Sequence, residues 1–169
     1  GFIDLTPEED AGNNWFPTSL QAVVALQKQI QAAGAMTVLF QTWGYFDKDP
    51  HNPGIYPDYV TMQGKLNKGY QKYQDTIKQN NPSAHIKIAP AGSAFEWIYY
   101  HTSTSTSGGD GDPLQTGSSF ELLYDKLEAH QEQDAEARKY PSVQGAYLTA
   151  CVLFQTLTGL DTRQISYVP

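Results

Sequence analysis

Met36-Thr37-Val38-Leu39-Phe40, preceded by Gly34 and opening into Gln41-Thr42-Trp43-Gly44, is the stretch that decides the fold. It is short, apolar apart from one threonine, and β-branched at Thr37 and Val38. Such a run has no polar face to give to water, so it reads as a strand buried on both faces, the form found in parallel sheets. Parallel strands need crossover elements, usually helices, and the flanking sequence supplies them. Upstream, residues 17–33 place Leu20, Val23, Val24, Ile30 and Ala33 near one helical face, with Gln21, Gln27, Lys28 and Gln31 mostly on the other. Pro17 suits a first turn and Gly34 a C-terminal cap. Downstream, residues 58–79 repeat Tyr59, Met62, Leu66, Tyr70, Tyr73 and Ile77 at spacings of three and four, until Asn80-Asn81-Pro82 breaks the pattern.

A second short strand follows at His85-Ile86-Lys87-Ile88-Ala89-Pro90, with Ile86 and Ile88 inward. Residues 102–119 are rich in Ser, Thr, Gly and Asp and read as a loop. A third helix is expected from about Ser119, carrying Phe120, Leu123, Tyr124 and Leu127. A last helix begins at Pro141-Ser142, carries Val143, Tyr147, Ala150, Cys151, Phe154 and Leu157, and ends at Gly159. The first sixteen residues are irregular, with Phe2, Ile3 and Leu5 able to form a short buried strand or strand end.

Helices alternating with buried strands predict a single α/β domain with a parallel sheet over residues 1–169. Strands 36–40 and 86–89 should be parallel neighbours, joined by a right-handed crossover, with the two long helices on opposite or adjoining faces. Two or three strands are few where about five is usual. The expectation is therefore an incomplete sheet, lacking an N-terminal portion. Another polypeptide, either that cleaved portion or a neighbouring subunit, would then complete or cover the edge, with residues 1–16 at or near the contact.

The formal net charge is −7, and no basic stripe exists to neutralise phosphates, which argues against nucleic acid as a partner. No apolar stretch approaches the ~20 residues of a membrane-spanning helix. Cys151 is the single cysteine, so the chain forms no internal disulfide, and it reads as a small buried hydrophobe. The chain opens at Gly1 without an initiator Met and reads as processed or truncated, leaving its compartment open.

In parallel sheets, chemistry collects at the carboxyl ends of the strands. That selects the loop after Phe40, the loop after Pro90, and the region from His130 to Ser142. Asp47, Asp49, His51, Asn52 and Asp58 match no calcium-loop spacing and read as a solvated loop, so no metal and no cofactor are expected. Trp43, Trp97, Tyr99 and Tyr100 offer aromatic faces for a sugar ring, with core packing as the alternative.

The run from Thr37 to Gly44, then Asp58, Met62-Gln63 and Gly69-Tyr70, resembles a bacterial-type branch of the SGNH (GDSL-like) hydrolases. So do the runs from Ala89 to Phe95 and from Pro141 to Val152, in the family's order. The resemblance implies the C-terminal two-thirds of a flavodoxin-like α/β/α domain. It also implies hydrolysis of small esters or acylated carbohydrate by a Ser-His-Asp arrangement, and slightly favours a secretory or extracellular setting. The family's nucleophile sits in a Gly-Asp-Ser-type turn after the first strand. This sequence contains neither Gly-Asp-Ser nor Gly-Asn-Ser, and Gly92-Ser93 matches a later, non-nucleophilic stretch.

Family members read Leu-Tyr, two residues, Asp, two residues, His-Pro-Ser. Here His130 stands at the family's spacing after Leu123-Tyr124, but Leu127 occupies the Asp position and residues 131–140 separate His130 from Pro141-Ser142. Aligned from Pro141 instead, Tyr140 falls at the His position and Ala137 at the Asp position. The candidate base is thus His130, with Asp125 or Glu128 as the orienting carboxylate, and the alternative for His130 is an exposed helix histidine. Gln41, Trp43 and Gly44 are the candidate substrate-binding residues. Two readings follow. One is a hydrolase portion that needs a serine from outside this chain. The other, favoured by the broken Asp-His stretch, is a non-catalytic structural or interaction subunit descended from such an enzyme.

Overall fold

A computed structural model describes residues 16–102, 114, 117–125 and 138–164. Helix α1 spans Phe16–Ala32, strand β1 Thr37–Gln41, helix α2 Tyr59–Asn80, strand β2 Ile86–Pro90, helix α3 Ala91–Thr102 and helix α4 Val143–Thr158. Two 3-10 turns lie at Glu121–Leu123 and Thr162–Gln164. The architecture is mixed α/β, with helices around a sheet of two strands among the described residues.

β1 and β2 pair in parallel, with Thr37 opposite Ile86, Leu39 opposite Ile88 and Gln41 opposite Pro90, as the two apolar runs predict. Alternation along the strands sends Leu39, Ile86 and Ile88 into a core with Phe16, Leu20, Val23 and Val24 of α1 and Met62, Leu66, Tyr73 and Ile77 of α2. The long helices therefore share one face of the sheet, instead of the opposite or adjoining faces expected from the sequence, because the apolar stripes of both pack on the same side chains of β1 and β2. Lys87 points the other way, and its Nζ donates to the Thr156 carbonyl of α4 at 2.9 Å, which fixes α4 on the opposite face.

The helix ends follow their sequences. Asp58 Oδ1 accepts the Thr61 N–H at 2.7 Å at the start of α2, and Ser142 Oγ accepts the Gly145 N–H at 3.2 Å at the start of α4. Gly159 takes the left-handed conformation that closes α4. Cys151 is half-buried on α4 rather than fully enclosed.

Two elements differ from expectation. The segment after Ser119 does not become a helix within the described residues. Its Glu121–Leu123 turn ends at Tyr124, which is extended (φ −108°, ψ 143°) and forms an antiparallel bridge with Pro141. Pairing with residues 140–142 wins because it satisfies backbone at both ends: Asp125 N–H donates to the Tyr140 carbonyl at 3.0 Å and Ser142 N–H to the Leu123 carbonyl at 2.9 Å. The second difference is α3, which starts directly from β2 with no intervening loop. Gly92 makes this possible, since a Cβ there would collide with the Thr42 carbonyl oxygen and the Gln63 side chain. The proposed contact at residues 1–16 lies outside the described residues except for Phe16, which is buried in the core.

Candidate functional site

At the carboxyl ends of β1 and β2 the chain turns back on itself and brings together polar side chains from β1, α2 and α3. Gln41, the last residue of β1, is buried. Its Nε2 donates to Asn67 Oδ1 at 2.9 Å, and its Oε1 accepts from Ser93 Oγ at 2.9 Å and Ser93 N–H at 3.3 Å. Gln63, fully buried on α2, donates from Nε2 to the same Asn67 Oδ1 at 2.7 Å and accepts the Gly44 N–H at 2.8 Å. Asn67 Nδ2 donates to Glu96 Oε2 at 2.9 Å.

The polarity of this chain is set at one end. An ionised carboxylate only accepts, so Glu96 fixes which end of the Asn67 amide faces it. Asn67 Oδ1 must then accept, which orients both Gln41 and Gln63, and these in turn present oxygens to Ser93 and to the Gly44 backbone. The network runs between residues 41, 63, 67, 93 and 96 in hydrogen-bond steps of 2.7–2.9 Å. Buried polar groups satisfied in this way specify geometry strongly.

Beside the network lies an aromatic cluster of Phe46, Tyr59, Phe95, Phe120 and Tyr124. Trp43 stacks on Phe95 at 4.7 Å with 8° between the planes, and its Nε1 donates to the Lys139 carbonyl at 3.2 Å. Gly44 is held twice, by Gln63 through its N–H and by Tyr124, whose hydroxyl donates to its carbonyl at 2.8 Å. Burial pushes the phenols of Tyr59 and Tyr124 well above their ordinary range, with the Glu96 carboxylate adding to the effect on Tyr59. The Tyr59 hydroxyl has no hydrogen-bond partner among the described residues.

The candidate substrate-binding residues Gln41, Trp43 and Gly44 are thus brought together, and the hydrogen bonds just described tie them into the protein interior. Of the aromatic residues, Trp43 and Tyr99 join the core cluster. Trp97 and Tyr100 stay exposed on α3, with Trp97 stacked on His101 at 3.8 Å. Asp125 is exposed beside Tyr140, while His130 and Glu128 lie outside the described residues. Asp49 is buried in its loop, where its carboxylate accepts from His51 N–H and Asn52 Nδ2, each at 2.9 Å. No group of three or more His, Cys, Asp or Glu side chains able to hold a metal ion occurs among the described residues. No helix among them is long and apolar enough to cross a membrane.

A serine becomes nucleophilic when a base takes its proton. Ser93 Oγ gives its proton to an amide oxygen, and Ser142 Oγ gives its own to the Leu122 carbonyl at 2.5 Å while capping α4. Neither acceptor is basic, so neither serine is activated in this arrangement. The residues that sequence reasoning passed over are Asn67 and Glu96. Glu96 sits in an aromatic-rich stretch and Asn67 in a polar helical one, and nothing in one-dimensional spacing pairs them across 29 positions. No family model, curated protein or solved structure matches the chain.

Proposed function

We propose that this chain is part of an SGNH-hydrolase-like domain of flavodoxin-like α/β/α type, related to esterases of small esters or acylated carbohydrate and catalytically incomplete in these 169 residues. The observation that carries the reading is the bridge between Tyr124 and Pro141. It joins the Leu-Tyr and Pro-Ser ends of the stretch that in the family carries Asp and His, with Tyr140 next to Asp125 where the histidine would stand. A tyrosine hydroxyl lacks the basic ring nitrogen with which histidine takes a serine's proton. An ester hydrolase built on this scaffold needs its serine from outside these residues. The test is turnover of p-nitrophenyl acetate by the pure chain, with and without a serine-reactive phosphonate. The expected rate is that of a control protein, and saturable, phosphonate-sensitive hydrolysis overturns the reading.

A second reading, a non-catalytic interaction subunit of the same descent, is favoured by the outer face of α4. Val143 is 84% exposed, Tyr147 and Leu157 are more than half exposed, and so is Leu160 just beyond the end of the helix. An apolar row of this kind suits coverage by another polypeptide. Intact-mass analysis of native material separates the two readings: a co-purifying fragment bearing a Gly-Asp-Ser turn favours the enzyme, and its absence from an otherwise intact complex favours the interaction subunit.

A further inference from the structure

Among the described residues, one edge of the sheet has no strand partner, and the side chains flanking it are only half-buried. Thr37 N–H donates to the His85 carbonyl at 2.9 Å in register with Ile86, so the backbone groups of Thr37, Leu39 and Gln41 face β2. By the alternation of a parallel ladder, the N–H and C=O of Val38 and Phe40 face the other way. Among the described residues no strand pairs with that side. On one face of this edge the α1 side chains Leu20, Val23, Val24 and Ile30 are only half-buried. On the other, Val38 and Phe40 are also half-buried, because α4 packs on β2.

The position and hand of the helices say what belongs there. α2 packs on both strands, whereas α1 packs on α2 and β1 and so overhangs the outer side of β1. The unit β1–α2–β2 steps across the sheet in one direction, with α2 on the same face as α1. Parallel crossovers are right-handed in about 98% of cases. A strand that enters α1 and continues into β1 must therefore step in the same direction, which puts it on the free edge of β1. Gln27 and Gln31 meet Asn81 at the foot of the sheet, so Phe16 lies toward its carboxyl end, where a parallel strand would finish. Fifteen residues precede Phe16, and the apolar run among them is Phe2-Ile3-Asp4-Leu5. Residues 6–15 span the connection easily, at up to about 3.3 Å per residue.

We propose that Phe2-Ile3-Asp4-Leu5 docks on the free edge of β1 as a parallel strand, using the outward backbone groups of Val38 and Phe40 and covering the half-buried side chains of α1. The proposal is independent of the hydrolase reading. It replaces a separate polypeptide at this edge with the chain's own sequence, and leaves any second protein to meet α4 or the outer side of the new strand. The experiment is residue-resolved amide hydrogen exchange on the full chain by NMR. The expected result is slow exchange at Val38 and Phe40 at every protein concentration, with inter-strand NOEs to residues 2–5. Ile3→Pro should speed exchange at Val38 and Phe40 by about 100-fold while Leu39 and Ile77 stay slow, showing that the remaining fold persists. Fast exchange at Val38 and Phe40 in the unaltered chain overturns the proposal. So does protection that rises with concentration and carries no NOEs to residues 2–5, which would assign the edge to a second copy.

Discussion

Asn67 and Glu96, one on α2 and one on α3, are joined by a 2.9 Å hydrogen bond that sets the direction of every amide between Ser93 and the Gly44 backbone. Asn67→Asp removes the donor and places a second carboxylate against the first. The cost at neutral pH is expected to be about 2–4 kcal/mol, from lost hydrogen bonds and like-charge repulsion. Repulsion raises a carboxyl pKa in the folded variant above its unfolded value near 4, so the folded state holds a proton that the unfolded state has lost. The penalty relative to the unaltered chain should therefore be smallest below about pH 4 and grow as pH rises towards neutrality. Urea midpoints at pH 4 and pH 7 measure it, and a pH-independent penalty counts against the electrostatic part.

Two glycines of the same chain should respond to alanine with opposite sign. At Gly92 a Cβ runs into the Thr42 carbonyl and the Gln63 amide, so Gly92→Ala must part α3 from the β1 loop and is expected to cost about 3 kcal/mol or more. At Gly64, inside α2, a Cβ meets nothing within 4 Å, and Gly64→Ala is expected to stabilise by about 0.5–1 kcal/mol. Thermal midpoints of the two variants moving in the same direction would contradict this placement of the glycines.

The parts of the fold readable from sequence were those with strong local periodicity. The runs at Thr37 and Ile86 are short and apolar between breakers, and α1, α2 and α4 carry three-four spacings with caps at Asp58, Ser142 and Gly159. What escaped was set by distant partners. Phe120, Leu123 and Tyr124 have helical spacing, but the antiparallel contact with residues 140–142 draws Tyr124 into an extended conformation. α3 was hidden because Ala91-Gly92-Ser93 looks like a loop until the closeness of Thr42 explains the glycine. Gln41, Trp43 and Gly44 were identifiable as neighbours at a strand end, while their actual partners Asn67, Phe95, Gln63 and Tyr124 are invisible to spacing.

Tyr59 and Tyr124 are neighbouring buried phenols with different needs. The Tyr124 hydroxyl donates to the Gly44 carbonyl, whereas that of Tyr59 has no partner among the described residues. Tyr124→Phe leaves a buried carbonyl short of a donor and is expected to cost about 1–3 kcal/mol. Tyr59→Phe removes an unsatisfied group and is expected to be neutral or stabilising by up to about 1 kcal/mol. Chemical denaturation of both variants decides it. A large loss at Tyr59→Phe would mean that the hydroxyl has a bound partner.

The same phenols set the alkaline limit of the fold. Burial raises the pKa of Tyr59, Tyr73 and Tyr124 in the folded chain, and the phenols of the unfolded chain ionise near pH 10. A raised folded pKa means that the folded state keeps a proton the unfolded state has lost, so the stabilisation is complete below about pH 10 and falls as pH rises above it. The two most buried phenols alone should remove about 2.7 kcal/mol for each further pH unit, at about 1.4 kcal/mol per group. Against a typical domain stability of about 5–15 kcal/mol, unfolding should follow within a few pH units. Tyrosinate absorbance at 295 nm should then rise in a cooperative step that coincides with loss of helical circular dichroism. In Tyr59→Phe the step should become shallower and move to higher pH. Smooth titration of all the tyrosines near pH 10, with the helical signal intact, would show that these phenols reach water in the folded protein.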